Sequence, residues 1–364
     1  MLKKLTNHRA VSKILLVLKK IVERVEKAVK SPLSFLIMKI MKKINRCFIC
    51  FLREVREYGY FTNELSIATI VRNEAPYLKE WIEYHKLVGV ERFYIYDNYS
   101  TVYIYDNYST DSIKEVLQPY IDSGEVVYTV FPAEEAHSRE TQMSAFNDAV
   151  TRYKHKTRWL ALIDADEFIV PLCADTITGV IKEIEKNIVH KKIAALCVFW
   201  VLYGFSGHYR RPDGGGGGLI IEQYTRSRVK ALTKAAREAH KNYWWIEREW
   251  VKSIVNPRMV TVYYIHGGGY RDGYYGVDEK GNRIHEGGVV PEGLEASIEK
   301  IRINHYWTKS YEEFIEKIQR TKAHSTEKHT VIEYEAGFLS HKEDNVMEKY
   351  IQPLKEAMKS GRRT

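Results

Sequence analysis

From Leu65 onward the chain alternates short apolar runs with segments whose apolar residues recur every three or four positions. SIATIV (66–71) reads as a strand, and PYLKEWIEYHKLVG (76–89) reads as a helix ended by Gly89. ERFYIYD (91–97) is again a strand. DSIKEVLQPYIDSG (111–124) is a helix with an acidic start and a glycine exit, and EVVYTVF (125–131) is a third strand. This βαβαβ order predicts an α/β fold, a mostly parallel mixed sheet flanked by helices with right-handed crossovers. In such sheets ligands lie off the carboxyl ends of the strands, where the loops RNEAP (72–76) and DNYSTD (106–111) stand.

Before Leu65 the pattern differs. Val11, Ile14, Leu15, Leu18, Val22, Val25 and Val29 fall at helical spacing, as do Leu33, Leu36, Ile37, Ile40, Ile44, Phe48 and Phe51 after Pro32. Two amphipathic helices are predicted. Lys interrupts every apolar stretch, so none approaches the roughly 20 residues of a spanning helix, and no signal peptide is expected. The polar positions are mostly Lys, which suits an anionic membrane surface; a hairpin packed on the body or on another subunit is the alternative. Residues 1–58 hold 15 Lys/Arg against 4 Asp/Glu, whereas the remainder holds 41 against 43, so the net charge of +9 resides in the N-terminal segment. A slightly acidic body without a recognition motif argues against nucleic acid. Four cysteines in 364 residues make no disulfide framework. The expected divisions are a basic helical segment over 1–60, a main domain over 61–335 and a helical tail over 336–364.

YIYDNYST occurs at 94–101 and again at 103–110. Strand plus polar turn is all one crossover requires, so a nine-residue tandem duplication leaves either the first copy looped out or an enlarged loop. The second copy is the expected functional turn, because Ser109, Thr110 and Asp111 can cap the next helix. Asp97 and Asn98 of the first copy are the alternative.

The sharpest chemical signal is RWLALIDADEFIVP (158–171), an apolar strand ending in Asp164-Ala165-Asp166-Glu167. Two carboxylates one residue apart at a strand end can both reach a divalent cation, and hard oxygen ligands suit Mg²⁺ or Mn²⁺. IRINHYWTKS (301–310) adds a short strand, then His305, then Lys309 at a spacing that would put both on one helical face; His266 is a competing ligand. GFSGHYRRPDGGGGGLIIEQY (204–224) offers His208, Glu222 and Asp213 as proton acceptors and five successive glycines.

IVRNEAPYLKEWIEYHKLVGVERFYIYDNYST, WLALIDADEFIVP, LYGFSGHYRRP, KSIVNPRMV and INHYWTKSYEEF, in this order over about 65–320, resemble glycosyltransferase family 92 and its family-2-like relatives with the GT-A fold. The resemblance implies a Rossmann-like domain and metal-dependent, inverting transfer of a sugar from a nucleotide diphosphate donor, typically a UDP-sugar, to a glycan hydroxyl. It further implies that Arg72, Asn73 and Glu74 contact the nucleoside, that Asp106, Asn107 and Asp111 hold base and ribose, and that Asp164 and Asp166 bind the metal. Asp166 is the expected direct ligand, with His305 completing the site and Lys309 neutralising phosphate. The expected location is cytoplasmic, peripheral at the inner face of the cell membrane if the N-terminal helices bind lipid. A degenerate glycan- or membrane-binding relative and a nucleotidyltransferase are the rival readings; RNEAP lacks the Gly/Lys-rich phosphate loop of the latter.

Overall fold

The computed structural model describes residues 61–98, 113–131, 139–188, 192–212, 218–228, 249–322 and 341–360, all within the unit Phe61–Thr364. The basic helices expected over 1–58, the second repeat copy and Asp213 lie outside the described residues.

The βαβαβ unit folds as the pattern predicts. β1 (Asn63–Val71), β2 (Arg92–Asp97) and β3 (Val126–Val130) are joined through α1 (Ala75–Leu87) and α2 (Ile113–Asp122). β1 lies parallel to β2, and β2 to β3. Gly89 and Gly124 leave the two helices at φ +94° and +74°, a region open to glycine without a Cβ clash. β2 is built from the first repeat copy, with Tyr94 opposite Ala68 and Asp97 opposite Val71. The first copy is therefore not looped out.

After α3 (Arg139–Tyr153), β4 (Thr157–Leu162) joins β1 in parallel. β5 (Glu167–Pro171), α4 (Ile177–Asn187) and β6 (Ile193–Leu202) follow, then the short α5 (Ile220–Gln223) and β7 (Arg226–Arg228). β8 (Val251–Val255) wedges antiparallel between β4 and β6. β9 (Val260–Tyr263) and β10 (Gly268–Tyr270) form a separate hairpin, and β11 (Tyr275–Val277) and β12 (Arg283–Ile284) extend the far edge of the sheet. The order is β12-β11-β6-β8-β4-β1-β2-β3. β13 (Ile301–His305) runs parallel to β6 and antiparallel to β5. α6 (Tyr311–Lys322), β14 (His341–Glu343) and α7 (Glu348–Ser360) complete the described chain.

Strand alternation sorts the core into two layers. Leu65, Ile67, Phe93, Ile95, Trp159 and Ala161 pack with Trp81, Ile82 and Val180 of α1 and α4, and with Leu354 of α7. Ala68, Tyr94, Tyr96, Leu160 and Leu162 pack on the opposite face with Phe146 and Ala149 of α3. This is the Rossmann-like, mostly parallel arrangement expected of a GT-A domain.

Candidate active site

The parallel pair β1 and β4 delivers two loops to one end of the sheet, so Arg72-Asn73-Glu74 and Asp164-Ala165-Asp166 emerge side by side. Register does the rest. Pairing of β13 with β5 sets His305 opposite Glu167, and Tyr306 N–H donates to Asp166 O at 2.9 Å. Pairing of β8 with β4 sets Ser253 opposite Leu162, which brings the preceding Lys252 level with the acidic stretch.

Among the described strands β5 pairs only with β13, and α1 satisfies its other edge. Trp81 Nε1 donates to Glu167 O at 2.8 Å and Tyr84 Oη to Ile169 O at 3.1 Å, while Ile169 N–H donates to His85 Nε2 at 3.2 Å. His85 Nδ1 meets Trp81 O at 2.8 Å, which assigns the proton to Nδ1 and leaves Nε2 as acceptor. Burial lowers this imidazole to about 3. The acidic stretch therefore sits on a rigid support.

Asp164 and Asp166 point to different partners. Asp164 accepts from Gln142 Nε2 at 2.6 Å and from Lys252 Nζ at 2.9 Å. Asp166 accepts from Lys317 Nζ at 2.8 Å on Oδ2, while His305 Nε2 stands 3.4 Å from Oδ1. Burial alone would raise the Asp166 carboxyl, but Lys317 and His305, with Lys309 behind them, hold it well below the usual carboxylate range. Glu167 does the reverse. It is fully buried, and burial pushes its carboxyl well above the ordinary value against the pull of Lys252 4.0 Å away. Lys252, also fully buried, would be lowered by burial, yet Asp164 and Glu167 raise it.

His305 and Lys309 are not on one helical face, as their spacing predicted. His305 ends a strand, residues 306–310 are irregular, and the helix starts at Tyr311. Lys309 still reaches the site because the backbone bends there at φ +51°. Its ammonium pairs with Glu74 at 3.1 Å over the Tyr77 ring. Glu74 occupies the N-cap position of α1 without capping it, and the preceding Asn73 adopts φ +56°, a conformation that asparagine tolerates. Arg72 Nε is buried without a hydrogen-bond partner among the described residues.

Of the other candidates, His266 stands at the edge of the site, its ring centroid 5.2 Å from Trp200 and 4.6 Å from Trp250, whereas His208 and Glu222 contact other parts of the chain. His266 gives Nδ1 to Val251 O at 3.0 Å, and burial, then Lys252, lowers its imidazole to about 3. His208 contacts Gln223 O at 3.0 Å, and Glu222 pairs with Lys355 of α7 at 2.6 Å. Neither contact involves the acidic stretch. Asp106, Asn107 and Asp111 lie outside the described residues. In the first copy, Asp97 accepts from Tyr128 Oη at 2.5 Å and the Asn98 side-chain oxygen is buried without a described partner.

Lys252, Lys317 and Gln142 escaped the sequence reading. Lys252 resembles any polar residue in a strand, Lys317 any charge on an amphipathic helix, and neither carries a local signature. A tryptophan pair beside the site carries no local signature either. Trp200 and Trp250 face each other across β6 and the entry to β8, with ring centroids 6.1 Å apart, and Trp200 lies 4.5 Å from the His305 ring.

A sheet of this order, with a D-x-D strand end and a histidine delivered by the neighbouring strand, has the architecture of a GT-A domain. The chain belongs to glycosyltransferase family 92, whose family model matches residues 64–342. A family 92 protein of Oryza sativa subsp. japonica is 29% identical over 55% of this chain and 29% of its own length. One of Arabidopsis thaliana is 35% identical over 29% of this chain and 16% of its own. The Arabidopsis thaliana protein named galactan beta-1,4-galactosyltransferase GALS3 is 28% identical over 30% of this chain and 21% of its own. The matched stretches span less than a third of these relatives. A mycobacterial protein crystal structure aligns over 64% of this chain and 70% of its own at 15% identity and a TM-score of 0.27.

Proposed function

We propose that this chain transfers a sugar from a nucleotide diphosphate donor, a UDP-sugar, to a glycan hydroxyl with inversion, assisted by Mn²⁺ or Mg²⁺. The observation that carries the reading is the Asp166–His305 pair. Its oxygen and nitrogen are 3.4 Å apart, about the separation of two neighbouring ligands on one small cation. Among the described residues no three His, Cys, Asp or Glu side chains are grouped to hold a metal. Asp166 and His305 would supply two ligands and donor phosphates others. When bound, the cation would act as a Lewis acid toward the diphosphate.

The chain's own groups do the rest. Lys309 and Lys317 stand beside Asp166 as point charges for the negative charge that grows on the leaving diphosphate. Lys252 and Gln142 fix Asp164. Trp200 beside His305, with Trp250 next to it, supplies the kind of flat apolar surface on which the C–H face of a sugar stacks. The galactosyltransferase relative suggests galactose as donor sugar and a β-1,4-galactan as acceptor.

UDP release from mixed sugar nucleotides, with Mn²⁺ and with EDTA, tests the reading. Release is expected with Mn²⁺ and a galactan acceptor, falling at least about a hundredfold in Asp166→Asn. Release unaffected by that substitution would overturn it.

A further inference from the structure

The two aspartates carry lysine counter-ions of opposite character. Lys252, partner of Asp164, rises from the middle of the sheet and its side chain is 0% exposed. It has no other place to go. Lys317, partner of Asp166, comes from α6 with its side chain 36% exposed and also donates to Trp307 O at 3.1 Å, whereas Asp166 itself is only 9% exposed. A buried carboxylate stripped of its cation is costly, so Asp166 requires positive charge beside it in every state.

α6 is held mainly by polar contacts: Glu313 accepts from Tyr77 Oη and, at 3.2 Å, from Tyr224 Oη, and Arg211 Nε stands 3.4 Å from it. Phe314 packs with Phe205, Trp307, Tyr311 and Ile315 in a satellite cluster apart from the two main cores.

We propose that Lys317 is a resident counter-ion, displaced from Asp166 when a divalent cation arrives and received by the diphosphate of the same donor. The proposal rests on the metal-dependent reading above. Lys317 holds Oδ2 while His305 faces Oδ1, so a cation bound between Asp166 and His305 would share one buried carboxylate with an ammonium. Two positive charges at that separation, with little water between them, repel strongly. A diphosphate would offer the released ammonium charge-assisted hydrogen bonds. Cation and donor would therefore bind with positive cooperativity, and the cation alone only weakly.

The test is Mn²⁺ titration of the full chain without nucleotide, read by the electron paramagnetic resonance of free Mn²⁺. Lys317→Met should bind Mn²⁺ about tenfold tighter than the wild type, the size expected for removing one modest competing ion pair. UDP should then strengthen its Mn²⁺ binding less than it does in the wild type. Lys317→Arg, which keeps the charge, should behave as the wild type, and Lys317→Gln should repeat the Met result if the Met variant folds poorly. Equal Mn²⁺ affinity in wild type and neutral variants overturns the counter-ion role and leaves the metal reading standing. A wild type that binds no Mn²⁺ even with UDP overturns both.

Discussion

At the scale of single residues, the site is a balance of buried charge. Lys252 lies within reach of Asp164 and Glu167 with no solvent to share the load. Removing one partner of such a group costs about 3–5 kcal/mol, so Lys252→Met should lower the unfolding free energy by that order in chemical denaturation. His85 and His266 act oppositely to a switch. Both imidazoles are lowered to about 3, burial being the largest cause, and each gives its Nδ1 to a carbonyl. Because the folded value lies below the unfolded one, their contribution to stability is present above about pH 6.5 and is lost as pH falls toward 3. Proton NMR should show both rings unchanged between pH 8 and 5; a titration midpoint near 6.5 for either would contradict the structure. Asp164 and Asp166 were legible because one-residue spacing at the end of an apolar strand is a local pattern. Lys252 and Lys317 were not, because sheet register and a helix 151 residues distant bring them in.

At the scale of elements, α1 organises both the core and the site. Besides supporting β5, it projects the fully buried Glu80, whose carboxylate accepts the backbone N–H groups of Ile220 and Ile221 at 2.8 and 3.1 Å. Glu80 thus ties down α5 just after the five-glycine run. Burial raises its carboxyl to about 7. A raised folded value means that its stabilising effect is complete below the unfolded value of about 4.5 and fades as pH rises to 7, by roughly 3 kcal/mol. Glu80→Gln should flatten the fall in melting temperature over that interval, and an unchanged slope would remove Glu80 as its cause. The repeat makes a second element-scale prediction. β2 uses the first copy and α2 begins at Ile113, so deleting residues 102–110 leaves both elements their sequence. Shortening the connection changes closure entropy by less than about 1 kcal/mol. Circular dichroism should show an intact fold; an unfolded variant would mean that the second copy is needed to build it.

For the molecule as a whole, the order of the first three strands and two helices was legible from period and punctuation, since both faces of the central strands are apolar and glycine marks the exits of α1 and α2. The antiparallel β8 and the return of β13 between β5 and β6 were not, because strand pairing across 50 or more residues leaves no local trace. That long-range pairing brings together the candidate site. The basic stretch over 1–58 supports a proposal of its own, adhesion to an anionic membrane. The full chain should sediment with phosphatidylserine vesicles at low salt and release at high salt, whereas equal recovery with neutral vesicles would count against it.

The central claim is that Asp166 and His305 together hold the cation that holds the donor. Isothermal titration of UDP into the wild type, with Mn²⁺ and with EDTA, tests it most directly. At least tenfold tighter UDP binding with Mn²⁺, lost in both Asp166→Asn and His305→Ala, is the predicted result. Equal UDP affinity with Mn²⁺ and with EDTA would contradict it.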